Sequence, residues 1–210
     1  MDIYYIPTVF FTLFFVVDPL GLIPVFLLYL SGYRDHNRTR IIIRSISISI
    51  AVSVFFILLG KYLLRFLGIS SGSFLIAGGI LLFIIAMEML LGQASRLKMR
   101  DLCDREQLDE DHDVSVFPLA IPMLCGPGNI AALVMFSTQA DGDILKMIVI
   151  VLLSITVFMM AMIIMFFSVH VSDVLGSTGI SIIQKLMGLI LSAMSVQFIR
   201  NGLLELGIIR

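Results

Sequence analysis

An apolar run from about Ile6 to Leu30 is long enough to cross a bilayer, yet its middle reads Val16-Val17-Asp18-Pro19-Leu20-Gly21-Leu22-Ile23-Pro24. A membrane-crossing helix needs roughly 20 apolar residues. An acid, a glycine and two prolines are poor choices for the centre of one. Pro19 and Pro24 each remove a backbone donor, and the residue before a proline is pushed away from helical angles. Lipid cannot satisfy the backbone groups this sets loose, so the interruption must face protein or a water-filled cavity. A second stretch repeats the pattern: Ile121-Pro122-Met123-Leu124-Cys125-Gly126-Pro127-Gly128-Asn129-Ile130.

The rest of the chain confirms the solvent. Hydrophobic residues make up 59% and charged residues only 14%, against roughly 25% charged in soluble domains. A soluble core cannot use that much apolar surface, so an integral membrane protein is expected. The net charge of -1 leaves no basic footprint for nucleic acid. No cleavable signal peptide is expected at the start, because Asp2 is the only early charge and the first apolar run exceeds a signal core.

Six apolar segments, at roughly 6–30, 41–64, 72–92, 114–138, 144–169 and 179–206, each read as a membrane helix. Basic residues gather in the first loop (Arg34, Arg38, Arg40, Arg44) and the third (Arg96, Lys98, Arg100, Arg105). The positive-inside bias places these loops in the cytoplasm and both termini outside. The polar stretch from Gln93 to Asp113 reads as a charged cytoplasmic linker, with no calcium-loop spacing at its acidic end.

Aligning the two interruptions exposes an internal repeat. Asp18-Pro19-Leu20-Gly21 falls opposite Gly126-Pro127-Gly128-Asn129, and Ala77-Gly78-Gly79-Ile80 opposite Leu186-Met187-Gly188-Leu189 at nearly the same offset. Glu88 then lands against Gln197. Three helices per repeat is odd, so the halves must insert with opposite orientation. Inverted repeats with a broken helix at matching places point to a substrate site in a secondary transporter. The expected fold is therefore an all-α membrane protein with six transmembrane helices as two inverted three-helix repeats, helices 1 and 4 broken at mid-membrane. Residues 1–92 form the first repeat, 93–113 the linker and 114–210 the second repeat.

Asp18 is the first candidate for chemistry, because a carboxylate at the bilayer centre is costly and usually functional. As Asp before Pro it also suits a helix N-cap, accepting from amides near Gly21. Gly126-Pro127-Gly128-Asn129 would start the matching half-helix without a carboxylate, leaving its amides to meet an anion at the positive helix end. The site set is thus Asp18, Pro19, Gly21, Pro24, Gly126, Pro127, Gly128 and Asn129. Accessory candidates are Ser49, Gly78, Gly79, Glu88 and Gln197. Ser45, Ser49 and Ser53 share one helix face and read as interhelical packing. Ala77-Gly78-Gly79 reads as close backbone approach, with the broken first helix one partner to consider. Gln184, Lys185 and Gln197 read as solvated or snorkelling positions. Cys103 and Cys125 are isolated, with neither a disulfide nor a zinc site expected. No catalytic motif or phosphate-binding glycine loop occurs, so neither enzymatic activity, a metal nor a cofactor is expected.

At the two interruptions the sequence resembles the MarC family of bacterial inner-membrane proteins. That family carries DPxGxxPxF in its first helix, here Asp18 to Phe26, and an IPxxxGPGxI-like signature in its fourth, here Ile121 to Ile130. The runs Ala77-Gly78-Gly79-Ile80 and Met187-Gly188-Leu189-Ile190 match as well, so the likeness covers essentially the whole chain. It implies six spans, an inner (plasma) membrane location and no known cofactor. Some members are described as transporters of small neutral amino acids such as alanine, glycine and serine, which implies such a substrate here. Cys125 and Asn129 fall at variable positions, leaving substrate preference open. On this basis the substrate carboxylate would sit at the half-helix N-termini around Gly21 and Gly126–Asn129. Asp18 would cap the first half-helix and hold the substrate ammonium or a coupling cation. A passive channel for small solutes and a non-transporting membrane scaffold remain as alternatives. The small-residue motifs would serve a homo-oligomer as well as a monomer.

Overall fold

The computed structural model describes residues 4–23, 26–27, 35–92, 115–140 and 142–209, and the described residues contain helices and turns but no strand. Pro24, residues 31–34 of the first loop and the linker with Cys103 lie outside them. In chain order the helices are α1 (Tyr5–Val17), α2 (Asp35–Phe66), α3 (Ser71–Leu91), a π-helix (Ser115–Leu124), α4 (Pro127–Gln139), α5 (Ile144–Phe166) and α6 (Ser168–Glu205).

Four stretches are long and apolar enough to cross a membrane: Asn37–Phe66, Ser71–Leu91, Ile144–Phe166 and Thr178–Glu205. Large apolar side chains such as Phe55, Leu59, Ile84, Leu152, Ile163 and Leu189 stand exposed along them. Water would not tolerate such a belt, whereas acyl chains suit it. The other two expected spans occur as shorter pieces. α1 has 13 residues, about 20 Å at the helical rise, short of the roughly 30 Å hydrocarbon core. The π-helix and α4 divide the fourth.

The helix limits depart from the sequence expectation at two places. α2 begins at Asp35, within the expected first loop. The expected fifth loop around His170–Thr178 is also helical, as part of α6. Val171 N donates to Phe167 O at 2.9 Å, so helical bonding restarts directly after α5. Gly176 then breaks α6 with φ 61° and ψ 176°, angles that only glycine adopts without cost.

α3 and α6 pack antiparallel through glycines. A Cβ on Gly79 would stand 2.9 Å from Ser195 O, and one on Gly188 2.9 Å from Ala86 O. Near the other end, a Cβ on Gly72 would stand 2.9 Å from Gly202 O. Bare backbones can approach this closely because no side chain intervenes, the usual reason for small residues between membrane helices. These contacts correct the thought that Gly79 packs on the broken first helix. Gly78 faces Met135 Sδ of α4, at 3.6 Å from its Cβ position.

α4 is the innermost element. Every residue from Ala131 to Thr138 is buried, as expected for a helix apolar on all sides. Phe136 packs edge-on against Phe198 of α6, with ring centroids 5.6 Å apart. On its other side Ser137 Oγ donates to Ile57 O of α2 at 2.6 Å. Val9, Leu13 and Val17 of α1 join this core.

Candidate functional site

Both interruptions lie in this interior, and each is built differently. α1 ends where Asp18 turns left-handed, at φ 47° and ψ 57°. It is the only non-glycine residue among the described ones with positive φ. Extended backbone is the usual choice before proline, but Asp is among the residues that tolerate the left-handed region. Its N–H donates to Phe14 O at 3.1 Å, completing the last turn of α1. Beyond Asp18, Leu22 N donates to Asp18 O at 3.2 Å and Phe26 N to Leu22 O at 2.8 Å, so the chain regains helical bonding.

The Asp18 side chain ties this turn together. It is 3% exposed, and its Oδ1 accepts from Gly21 N at 3.0 Å. Acceptance from the amide three residues on is the bond an N-cap makes. Asp18 thus closes one helical piece with its backbone and opens the next with its carboxylate. Oδ2 accepts from Gln184 Nε2 of α6 at 3.2 Å. A Cβ on Gly21 would fall on the Asp18 carboxylate and on the Gln184 amide. Only glycine allows the three groups to meet. Pro19 is buried beside them.

The second interruption has no acid. The π-helix ends with Cys125 N donating to Ala120 O at 2.9 Å, a bond five residues back. Gly126 is extended, and Pro127 starts α4 with no side-chain cap. Gly126 O accepts from Ile130 N at 3.1 Å. Asn129, 2% exposed, donates from Nδ2 to Cys125 Sγ at 3.7 Å. Ser53 Oγ lies 3.6 Å from the same sulfur.

The serine face of α2 braces this segment. Ser45 Oγ shares its proton between Ser115 O at 2.8 Å and Ile41 O at 2.9 Å, Ser49 Oγ donates to Ser45 O at 2.9 Å and lies 3.5 Å from Ala120 O, and Ser53 meets Cys125. Hydroxyls spaced four apart on an α-helix thereby match groups spaced five apart on a π-helix. All three serines are fully buried, as their packing role requires. Such π segments are uncommon and cluster at functional sites.

The start of α4 lies beside the end of α1. A Cβ on Gly128 would fall on Ile85 Cδ1 of α3 and lie 3.4 Å from Val16 Cγ1, two residues before Asp18. Among the sequence candidates, Asp18, Pro19, Gly21, Gly128 and Asn129 are buried, Gly126 is half-buried and Pro127 is exposed. Of the accessory set, Ser49, Gly78 and Gly79 make the packing contacts described above. Glu88 is half-buried near the end of α3. Gln197 is exposed on α6 and donates to Asn201 Oδ1 at 2.9 Å, on the outer surface. Gln184, expected at a solvated position, is only 8% exposed. Its place in an apolar helix beside Lys185 gave no signal of this, although a glutamine among Ile, Leu and Met residues needs a polar partner when buried. Among the described residues no cluster of three His, Cys, Asp or Glu side chains offers a metal site.

Membrane-length helices around two buried interruptions define a multi-pass integral membrane protein. The chain matches the family model described as MarC family integral membrane protein over residues 3–207, and it belongs to that family. It is 34% identical to a UPF0056 membrane protein of Methanocaldococcus jannaschii, covering 97% of this chain and 98% of the relative. A UPF0056 membrane protein of Archaeoglobus fulgidus is 33% identical, covering 93% and 91%. One from Buchnera aphidicola subsp. Baizongia pistaciae is 34% identical, covering 92% and 90%. No solved structure matches the chain.

Proposed function

We propose that this protein is a secondary transporter of small neutral amino acids, working by export or exchange, in the plasma membrane (the inner membrane of a bacterial host). The observation that carries this is the start of α4 lying beside the end of α1 in the buried interior, Gly128 against Val16. Unwound backbone at membrane depth is tolerated where it builds a site, and paired broken helices form the sites of several transporter folds. α4 begins there with Pro127, without a side-chain cap. The positive end of its dipole and its first amides suit a substrate carboxylate. Asp18 supplies the negative charge for the substrate ammonium. The tight surroundings of Gly21 and Gly128 favour a small side chain.

The two halves, 1–92 and 114–210, form inverted three-helix repeats about the linker 93–113, with both termini outside. What supports this is the reciprocity of the α3–α6 contact. Gly79 meets Ser195 and Ile199, while Gly188 meets Ala86 and Leu90. The Gly79-to-Gly188 spacing carries Ala86 onto Ser195 and Leu90 onto Ile199, so each contact is the other's image. Alternating access then consists of one half rocking on the other around the buried interruptions.

The test is uptake of labelled alanine into proteoliposomes, beside Asp18→Ala and Gly128→Leu. Saturable uptake, lost in both variants while they still fold, is the expected result. Flux that never saturates would make the protein a channel. Absence of alanine, glycine and serine uptake under every ion gradient would leave a scaffold or another solute.

A further inference from the structure

We propose that the cavity between the start of α2 and the junction of α5 with α6 binds the phosphate headgroup of an anionic phospholipid, through Arg38 and Ser168. The proposal is independent of what the protein transports. The cavity has a volume of about 150 Å³. That is room for several waters at roughly 30 Å³ each, or for a phosphate group with its acyl chains left outside. Arg38 ends the first turn of α2, and Ser168 opens α6. Phe26, Ile42 and Met165 are buried and close the apolar side of the cavity.

The polar lining suits such a ligand. Arg38 is half-buried, and a guanidinium carries five N–H donors in a fork that matches phosphate. Arg38 engages a protein group as well, and five donors can serve a second acceptor. Ser168 is 4% exposed. Thr8, Thr12, Ser47 and Thr156 each donate their hydroxyl to the carbonyl four residues back. The Ser168 hydroxyl makes no hydrogen bond among the described residues, and Ser168 lines the cavity. No acidic side chain lines the cavity among the described residues. The rim selects a lipid over a free anion. Phe166 and Val169 line the same cavity and are 42% and 47% exposed, continuing the apolar belt that faces acyl chains. Phe166 also ends a membrane-length helix, which is the depth where headgroups begin. A basic pocket between helices at that depth is a place for anionic headgroups. Arg40 and Arg44 stand exposed on the same end of α2, outside the cavity, and draw anionic lipid toward it.

The measurement is thermal unfolding of the purified protein in detergent, titrated with phosphatidylglycerol, with phosphatidylcholine of the same chains, and with inorganic phosphate. Phosphatidylglycerol is expected to raise the unfolding temperature saturably and above both controls. In Arg38→Gln its half-maximal concentration should rise about tenfold, the loss of a hydrogen bond to a charged group. In Ser168→Ala it should rise about threefold. Arg40→Gln removes the same charge outside the cavity and should leave it unchanged. If Arg38→Gln fails to fold, Ser168→Ala decides alone, because its hydroxyl holds no described protein group. Equal stabilisation by phosphatidylcholine would reduce the effect to bulk lipid, and a match by inorganic phosphate would make this a site for a free anion. Equal weakening in Arg40→Gln, or none in Ser168→Ala, would assign the binding to diffuse surface charge. Each of these results overturns the proposal.

Discussion

The two interruptions do the same job with opposite means. At Asp18 a single side chain organises the break: its carboxylate holds Gly21 from within the turn and Gln184 from another helix. At Gly126 no side chain caps the new helix, and the segment is held by weaker contacts, Asn129 on Cys125 from within and Ser45 and Ser53 of α2 from outside. One break concentrates its stability in a charged residue, and the other spreads it over several weak bonds. The difference implies that the first break is sensitive to single substitutions and the second forgiving. It also leaves the first amides of α4 uncapped, while the corresponding amide at Gly21 is already engaged.

The sharpest way to break this contrast is at Asp18. Replacing Asp18 with Leu strands the Gly21 and Gln184 donors and puts a bulky residue at positive φ. The expected loss is about 3–5 kcal/mol, read from unfolding in mixed detergent micelles. Asn tolerates the same backbone and keeps an acceptor for Gly21, and Gln184 can turn its amide to match. Asp18→Asn should therefore cost less than about 1 kcal/mol; a loss as large as that of Leu would show that the charge itself holds the break.

Glycine-to-alanine exchange compares the breaks directly. At Gly21 the new methyl meets the fixed carboxylate and amide, and a loss of about 3 kcal/mol is expected. At Gly128 it meets the far end of the flexible Ile85 side chain, which can rotate away, so about 1 kcal/mol is expected. Thermal unfolding of the two purified variants decides it, and equal shifts would remove the distinction. The smallest effect belongs to the serine ladder. Ser45→Ala deletes one hydroxyl bond to Ser115 O, and single polar contacts between membrane helices average roughly 0.6 kcal/mol. A much larger loss for Ser45→Ala would mean that the second break also hangs on one group.

Much of this was legible in the residues. Asp-Pro and Gly-Pro-Gly within apolar runs carried both breaks, because proline removes donors wherever it sits. The four-residue spacing of Ser45, Ser49 and Ser53 placed them on one packing face. The glycines of α3 and α6 announced close approach, yet not their partner, since nothing local tells Gly79 whether it will meet α1 or α6. The repeat alignment drew Glu88 and Gln197 together on paper, but Gln197 turned out to face away from the core. Gln184 was hidden for the complementary reason: an amide next to a lysine in the chain looks the same in sequence whether it meets solvent or a carboxylate.

The sequence by itself determined what depends on composition and bonding along the chain: an all-helical membrane protein with four membrane-length helices among the expected spans, and the two places where helical bonding had to fail. Those follow from hydropathy and from proline chemistry, which act on neighbours. Only the tertiary structure decided that the failures lie side by side, that Asp18 is gripped by Gln184, and that a π segment answers a serine ladder. Each of these joins residues far apart in the chain. They depend on which helix faces add least void and leave fewest polar groups unpaired when packed together, a condition that no stretch of sequence satisfies alone.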